Sequence, residues 1–241
     1  MTRPAVSGWI LLTMSFALSS FASHAAAQAA ALGNPMPPAP SASPVRVELL
    51  GGTTTPIDVG VMARVSFFDR ILIGGSIGAT VYGAPIGGLV QSYSGAPIGD
   101  LVHTLIDGGL ALRVIAGVRP FGSDGLELSF AYVHLEHGTS VSSAQIASAF
   151  GAQLPFDSVD ASVTLHALAG ELAWNIVLFD HLLIRPAVGW TQAFAANASL
   201  SAAGASDQVA AGLDAAAQVV SAALARYAMT PTASLSIGYR F

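Results

Sequence analysis

The chain has 241 residues, of which 53% are hydrophobic and only 10% charged, with 25 glycines, no cysteine and a formal charge of −5. A soluble domain carries about 25% charged residues, so this composition argues against a disordered chain and an ordinary cytosolic enzyme. The acidic balance leaves no basic surface for nucleic acid, and the missing cysteines exclude disulfide scaffolds, thiolate metal sites and cysteine nucleophiles.

The chain opens on Met1-Thr2-Arg3, a short cationic start, and continues with an apolar run over 6–21 and then Ala25-Ala26-Ala27. A positive start, an apolar stretch and small residues at a cleavage point are the parts of a secretory signal peptide. This reading gives a signal peptide over 1–27, with cleavage after Ala31 as the second choice. The stretch NPMPPAPSASP then makes 28–44 a stiff, extended periplasmic spacer.

Beyond the spacer, the uncharged stretch between Arg70 and Asp100 is long enough to suggest a membrane-spanning helix. Gly74, Gly75, Gly78, Gly83, Gly87, Pro85 and Pro97 break it too often for that. Elsewhere charges recur at two-residue spacing within apolar runs, which a strand gathers onto one face. In 57–67, Ile57, Val59, Val61, Ala63, Val65 and Phe67 alternate with Asp58, Gly60, Met62, Arg64 and Ser66. The same scheme recurs in 110–118, 182–194 and, through the last residue, in 229–241. Strands of about ten residues, apolar outside and polar inside, are the signature of a transmembrane β-barrel.

Strands are expected near 57–67, 71–82, 108–119, 126–137, 161–177, 182–195 and 229–241, and an eighth before Ile57, where Val45, Val47 and Leu49 alternate with Arg46 and Glu48. An even count suits such barrels. Short links at 68–70, 121–125 and 179–181 each combine an aromatic with a turn-forming Asp. They alternate with long links near 83–107, 138–160 and 196–228. The long links become extracellular loops, and both ends of the domain over 45–241 lie on the periplasmic side. Segment 51–56 is read as a loop. Strand 161–177 fits poorly: even positions look inward over 162–166, yet Leu168, Leu172, Trp174 and Ile176 look outward. A bulge near Ala167 and a one-residue misplacement both account for that.

The loops carry helical signals. GAPIGGLV at 83–90 recurs as GAPIGDLV at 95–102, each with a proline followed by apolar residues at helical spacing. Residues 142–150 suggest another helix. The strongest is 206–227, capped by Ser206, with Val209, Leu213, Val220 and Leu224 in one stripe. It is expected to pack on neighbouring loops, with the barrel mouth or the headgroup region as alternatives.

The closing residues Ser236-Ile237-Gly238-Tyr239-Arg240-Phe241 resemble the last strand of small Gram-negative outer-membrane barrels of the OmpA and OmpW type. Ile184-Arg185-Pro186-Ala187-Val188-Gly189 is similar to a penultimate-strand pattern of that group. The resemblance implies an all-β, eight-stranded antiparallel up-and-down transmembrane β-barrel with short helices in long extracellular loops. It implies location in the outer membrane and contact with its lipid and lipopolysaccharide. It also implies passage through the secretion and barrel-assembly machinery, with Tyr239 and Phe241 as the assembly signal. The alanine-rich loop helix departs from the group, so its ligand habits are not carried over.

An eight-stranded barrel is just wide enough for side chains to fill. By face, Arg46, Arg64, Arg113, Arg119, Arg185 and Arg240 are expected inside, opposite Glu48, Asp58, Glu127 and Glu171, as a structural polar network. Gly60, Gly74, Gly78, Gly117 and Gly189 leave room for the arginines. No catalytic, cofactor or metal residue is assigned. His134 and Glu136 share a face without a serine beside them, adjacent Glu136 and His137 face opposite ways, and His103, His166 and His181 are scattered. The expected function is that of a monomeric, non-enzymatic, porin-like envelope barrel with a structural or surface-interaction role. A narrow channel or receptor for small apolar solutes and a lipid A-modifying enzyme are the alternatives.

Overall fold

The computed structural model describes residues 45–81, 83–94, 97–122, 124–151 and 155–241. The expected signal peptide and spacer lie outside the described residues. Eight antiparallel strands close into an up-and-down barrel in chain order: β1 (Val45–Thr55), β2 (Asp58–Phe67), β3 (Ile71–Ala79), β4 (Leu110–Val118), β5 (Gly125–Ser142), β6 (Ser158–Leu178), β7 (Leu182–Ser201) and β8 (Met229–Arg240). Closure comes from β1 against β8, with Glu48 opposite Arg240 and Thr55 opposite Ala233. Segment 51–55 is therefore strand, not loop: its glycines and threonines keep pairing with both neighbours.

Two of the tight links are two-residue turns with positive φ at both central positions, Phe68-Asp69 (53°, 57°) and Phe179-Asp180 (53°, 65°). That is the type I′ geometry, whose twist matches antiparallel strands. Three of the four links at the opposite end carry the helices: α1 (Gly83–Ser94) and α2 (Gly99–Ile106) between β3 and β4, α3 (Ser143–Phe150) between β5 and β6, and α4 (Asp207–Tyr227) between β7 and β8. The 138–160 link is shorter than expected, because β5 reaches Ser142 and β6 starts at Ser158.

Strands β5, β6 and β7 have 18, 21 and 20 residues, whereas the other five have 9 to 12. They rise past the barrel as a three-stranded palisade. Inside it, Val133, Leu135, Val163, Leu165, Ala198 and Leu200 form one buried cluster with apolar residues of all four helices. The tandem repeat builds part of this cap. Its equivalent glycines meet where α1 crosses α2: a Cβ on Gly87 would lie 2.3 Å from the Gly99 carbonyl oxygen. On α3, Ser142 and Gln145 form a reciprocal capping box. On α4, Leu213, Val220 and Leu224 are buried, but Ser206 makes no side-chain cap bond. Ser221 Oγ of α4 instead accepts from the Ala198 N–H, at 2.7 Å. That donor lies beyond the point where β8 stops pairing with β7.

The poor fit of β6 has a different cause from the two expected. Odd positions face inward along the whole strand, from Val159 to Asn175, with no change of phase. What changes is polarity: outward residues are Ser162, Thr164 and His166 beside the palisade, then Leu168, Leu172 and Trp174 below. A register shift does occur between His166 and Ala167, but the extra residue is in β7, where Ala195 pairs with His166 and Ala193 with Ala167. Phe194 is left over. The bulge reverses the phase of β7, so Thr191 and Ala193 face inward before it and Ala198 and Leu200 after it.

Candidate functional site: the charged barrel interior

Below the helical cap the interior is charged. Glu48 projects from β1, Arg64 from β2 and Glu127 from β5, while Arg119 follows β4 directly. Arg64 donates to Glu48 at 2.6 Å and to Glu127 at 2.9 Å, linking opposite walls of the barrel. Arg119 forks onto both Glu48 oxygens at 2.7 and 2.8 Å and reaches Glu127 through Nε at 2.9 Å. Arg185 of β7 donates to Glu127 and to Glu171 of β6, each at 2.9 Å. Asn175 adds a bond to Glu127 at 3.1 Å. The side chains of Glu48, Arg64, Arg119 and Glu127 have no exposed surface.

A second group sits beside the first. Arg113 of β4 pairs with Asp58 at 2.9 Å, faces Glu171 at 3.7 Å and donates to Thr54 at 3.3 Å. Four guanidiniums thus face four carboxylates. This balance matters because a buried charge without a partner is costly, whereas bidentate arginine–carboxylate bonds offset much of its lost hydration. Glycine makes room at one such place: a Cβ on Gly74 would lie 2.8 Å from Cγ of Arg64. A small cavity of about 20 Å³ lies against Thr54, Asp58 and Arg113, which is space for one water molecule.

Arg46 and Arg240 face inward, but at the tight-turn end and outside this network. Arg46 pairs with Asp69 of the β2–β3 turn at 3.1 Å, and Arg240 with the largely exposed Asp124 at 3.4 Å. Strand phase placed them on the inner face; it carried no information on height. Tyr239 and Phe241 point outward, with ring centroids 4.8 Å apart, and Tyr239 stacks on His181.

Above the charges the lining turns apolar. A cavity of about 40 Å³ lies between the cap and the interior, bounded by Ile86, Ile106, Val133, Leu135, Leu165 and Met229. On the outside, Val61, Ile73, Val114, Phe130, Trp190 and Ile237 are all exposed, as are similar side chains around the circumference. Ser162 bonds to Ser199 and Ser140 to Asp160, so these outward serines have partners other than histidine.

No family model and no curated protein matches the chain. Among solved structures, the crystal structure of the N-terminal β-barrel domain of Pseudomonas aeruginosa OprF is similar. It has 9% identity and a TM-score of 0.37, over 82% of this chain and 96% of that one. The barrel of the present chain stands on its own strand pairing, which closes through all eight neighbours.

Proposed function

We propose that the chain is an integral outer-membrane β-barrel without enzymatic activity, acting structurally and through surface contacts made by its helix-bearing end. One observation carries the reading: a closed wall whose exposed outer face is apolar around its circumference, while charges are gathered inside. Water would penalise that wall and hydrocarbon would not, and closure leaves no strand edge unpaired in lipid. The helix-bearing end then faces outward, in contact with lipopolysaccharide, and the tight turns face the periplasm. A cleaved leader over 1–27 delivers the chain, and Tyr239 and Phe241 address it to the assembly machinery.

In this reading the Arg–Glu layer and the cap block the lumen and hold the walls together. Two measurements test it. Outer-membrane fractionation with heated and unheated electrophoresis should give a compact, heat-modifiable band, and recovery in the inner membrane without a mobility change overturns the barrel assignment. In planar bilayers the folded protein should show no steady conductance. A stable open channel would favour a narrow-channel function instead, and altered lipid A in expressing cells would overturn the non-enzymatic reading.

A further inference from the structure

Among the described residues no three His, Cys, Asp or Glu side chains converge on a point. Two histidines do meet, far apart in sequence and on the outer face. His134 of β5 and His166 of β6 are direct cross-strand partners. Their ring centroids are 5.0 Å apart and the rings are inclined at 41°. Two imidazole nitrogens bound to one cation at 2.0–2.1 Å put the ring centroids about 4.5–5.2 Å apart for bond angles between square and tetrahedral. The observed separation falls within that span.

The surroundings supply what such a pair needs. The Tyr132 hydroxyl and Nδ1 of His166 are 2.5 Å apart. With Nδ1–H donating to the phenol oxygen, the lone pair of His166 is left on Nε2, the usual outer-contact arrangement of a metal-binding histidine. Glu136 follows on the same face of β5, its Oε2 3.8 Å from Nε2 of His134. Adjacent tetrahedral ligand atoms sit about 3.3 Å apart, so a small rotation of this largely exposed carboxylate brings it in. Phe194, the bulge residue, packs beside Tyr132 and His166. The His134 ring is about a quarter exposed, sheltered but reachable. Among the described residues the other histidines are elsewhere: His103 is on α2, His181 stacks on Tyr239, and His137 lies near Gly108.

We propose that His134 and His166, with Glu136 alongside, form a surface site for a borderline divalent cation such as Cu²⁺, Ni²⁺ or Zn²⁺, tying β5 to β6 at the base of the palisade. Imidazole and carboxylate suit this class rather than Ca²⁺ or Mg²⁺, which take all-oxygen shells.

The test uses untagged full-length protein folded in phosphatidylcholine vesicles and titrated with Cu²⁺. The expected result is one equivalent bound, with electron paramagnetic resonance couplings from two imidazole nitrogens and a higher urea midpoint when loaded. His134→Gln and His166→Gln should each weaken binding at least tenfold, Tyr132→Phe by a smaller factor, and His181→Gln not at all. Heat-modifiable mobility confirms that each variant is folded. Absence of binding, or binding of equal strength in both glutamine variants, overturns the site.

Discussion

Replacing Glu127 by alanine puts the charged interior to its most direct test. Glu127 has no exposed side-chain surface and accepts from Arg64, Arg119 and Arg185 at 2.9 Å, and from Asn175 at 3.1 Å. Its loss leaves four buried guanidiniums facing three carboxylates. Removing one partner of a buried pair costs about 3–5 kcal/mol, a loss of two to more than three powers of ten in the folding equilibrium. The imbalance, rather than the missing contacts, causes most of this. The double variant Glu127→Ala/Arg185→Met should therefore be less destabilised than the sum of its single changes. Asp124→Ala is the control: Asp124 is two-thirds exposed and 3.4 Å from Arg240, so its loss should cost at most about 1 kcal/mol. Urea unfolding in lipid vesicles, followed by the outward-facing Trp174 and Trp190, reads these variants and the single Arg185→Met. A Glu127→Ala barrel within 1 kcal/mol of wild type would refute the reasoning.

Other expectations concern the cap, the bulge and a turn. Gly87→Ala drives a methyl toward the Gly99 carbonyl oxygen and should loosen the α1–α2 crossing by about 1–3 kcal/mol, seen as faster amide exchange there with the barrel intact. Gly88→Ala meets no atom within 4 Å and should slow that exchange slightly. Deleting Phe194 removes the bulge yet keeps Ala198 and Leu200 inside, so α4 should stay protected from trypsin at Arg226. Deleting Asn197 turns both residues outward and should expose that bond. Phe179→Asn places a residue tolerant of positive φ where φ is 53° and should raise stability by about 1 kcal/mol in the same urea assay.

Where one face is apolar and exposed along its whole length, the alternation is legible, so β2, β4 and β8 can be read from the chain to within a residue or two. The Phe-Asp turns are equally plain. The palisade is not, because in β6 the polarity of the two faces exchanges while their direction stays constant, which imitates a slip in phase. In β7 the run Ala195-Ala196 offers no contrast between faces at the bulge, so the shift leaves no trace in the pattern. Within the interior, alternation identifies which arginines face inward, but not that Arg46 and Arg240 meet turn aspartates. Pairing across the barrel depends on height, which follows from register and tilt. The His134–His166 contact needs the β5–β6 register in the same way, since thirty-two positions separate the two residues.

The exchange of polarity along β6 also acts as a depth gauge. In the membrane proposed above, sinking the barrel further would carry Thr164, His166 and Glu136 into hydrocarbon, at a few kcal/mol for each polar group left without water or a partner. Lifting it would expose Leu168, Phe130 and Trp190 to water instead, at about 25 cal/mol for every Å² of apolar surface uncovered. Both displacements are uphill. The vertical position of the molecule is therefore written into the outer faces of β5, β6 and β7, and in that membrane the palisade is held at a set distance above the bilayer wherever the barrel drifts.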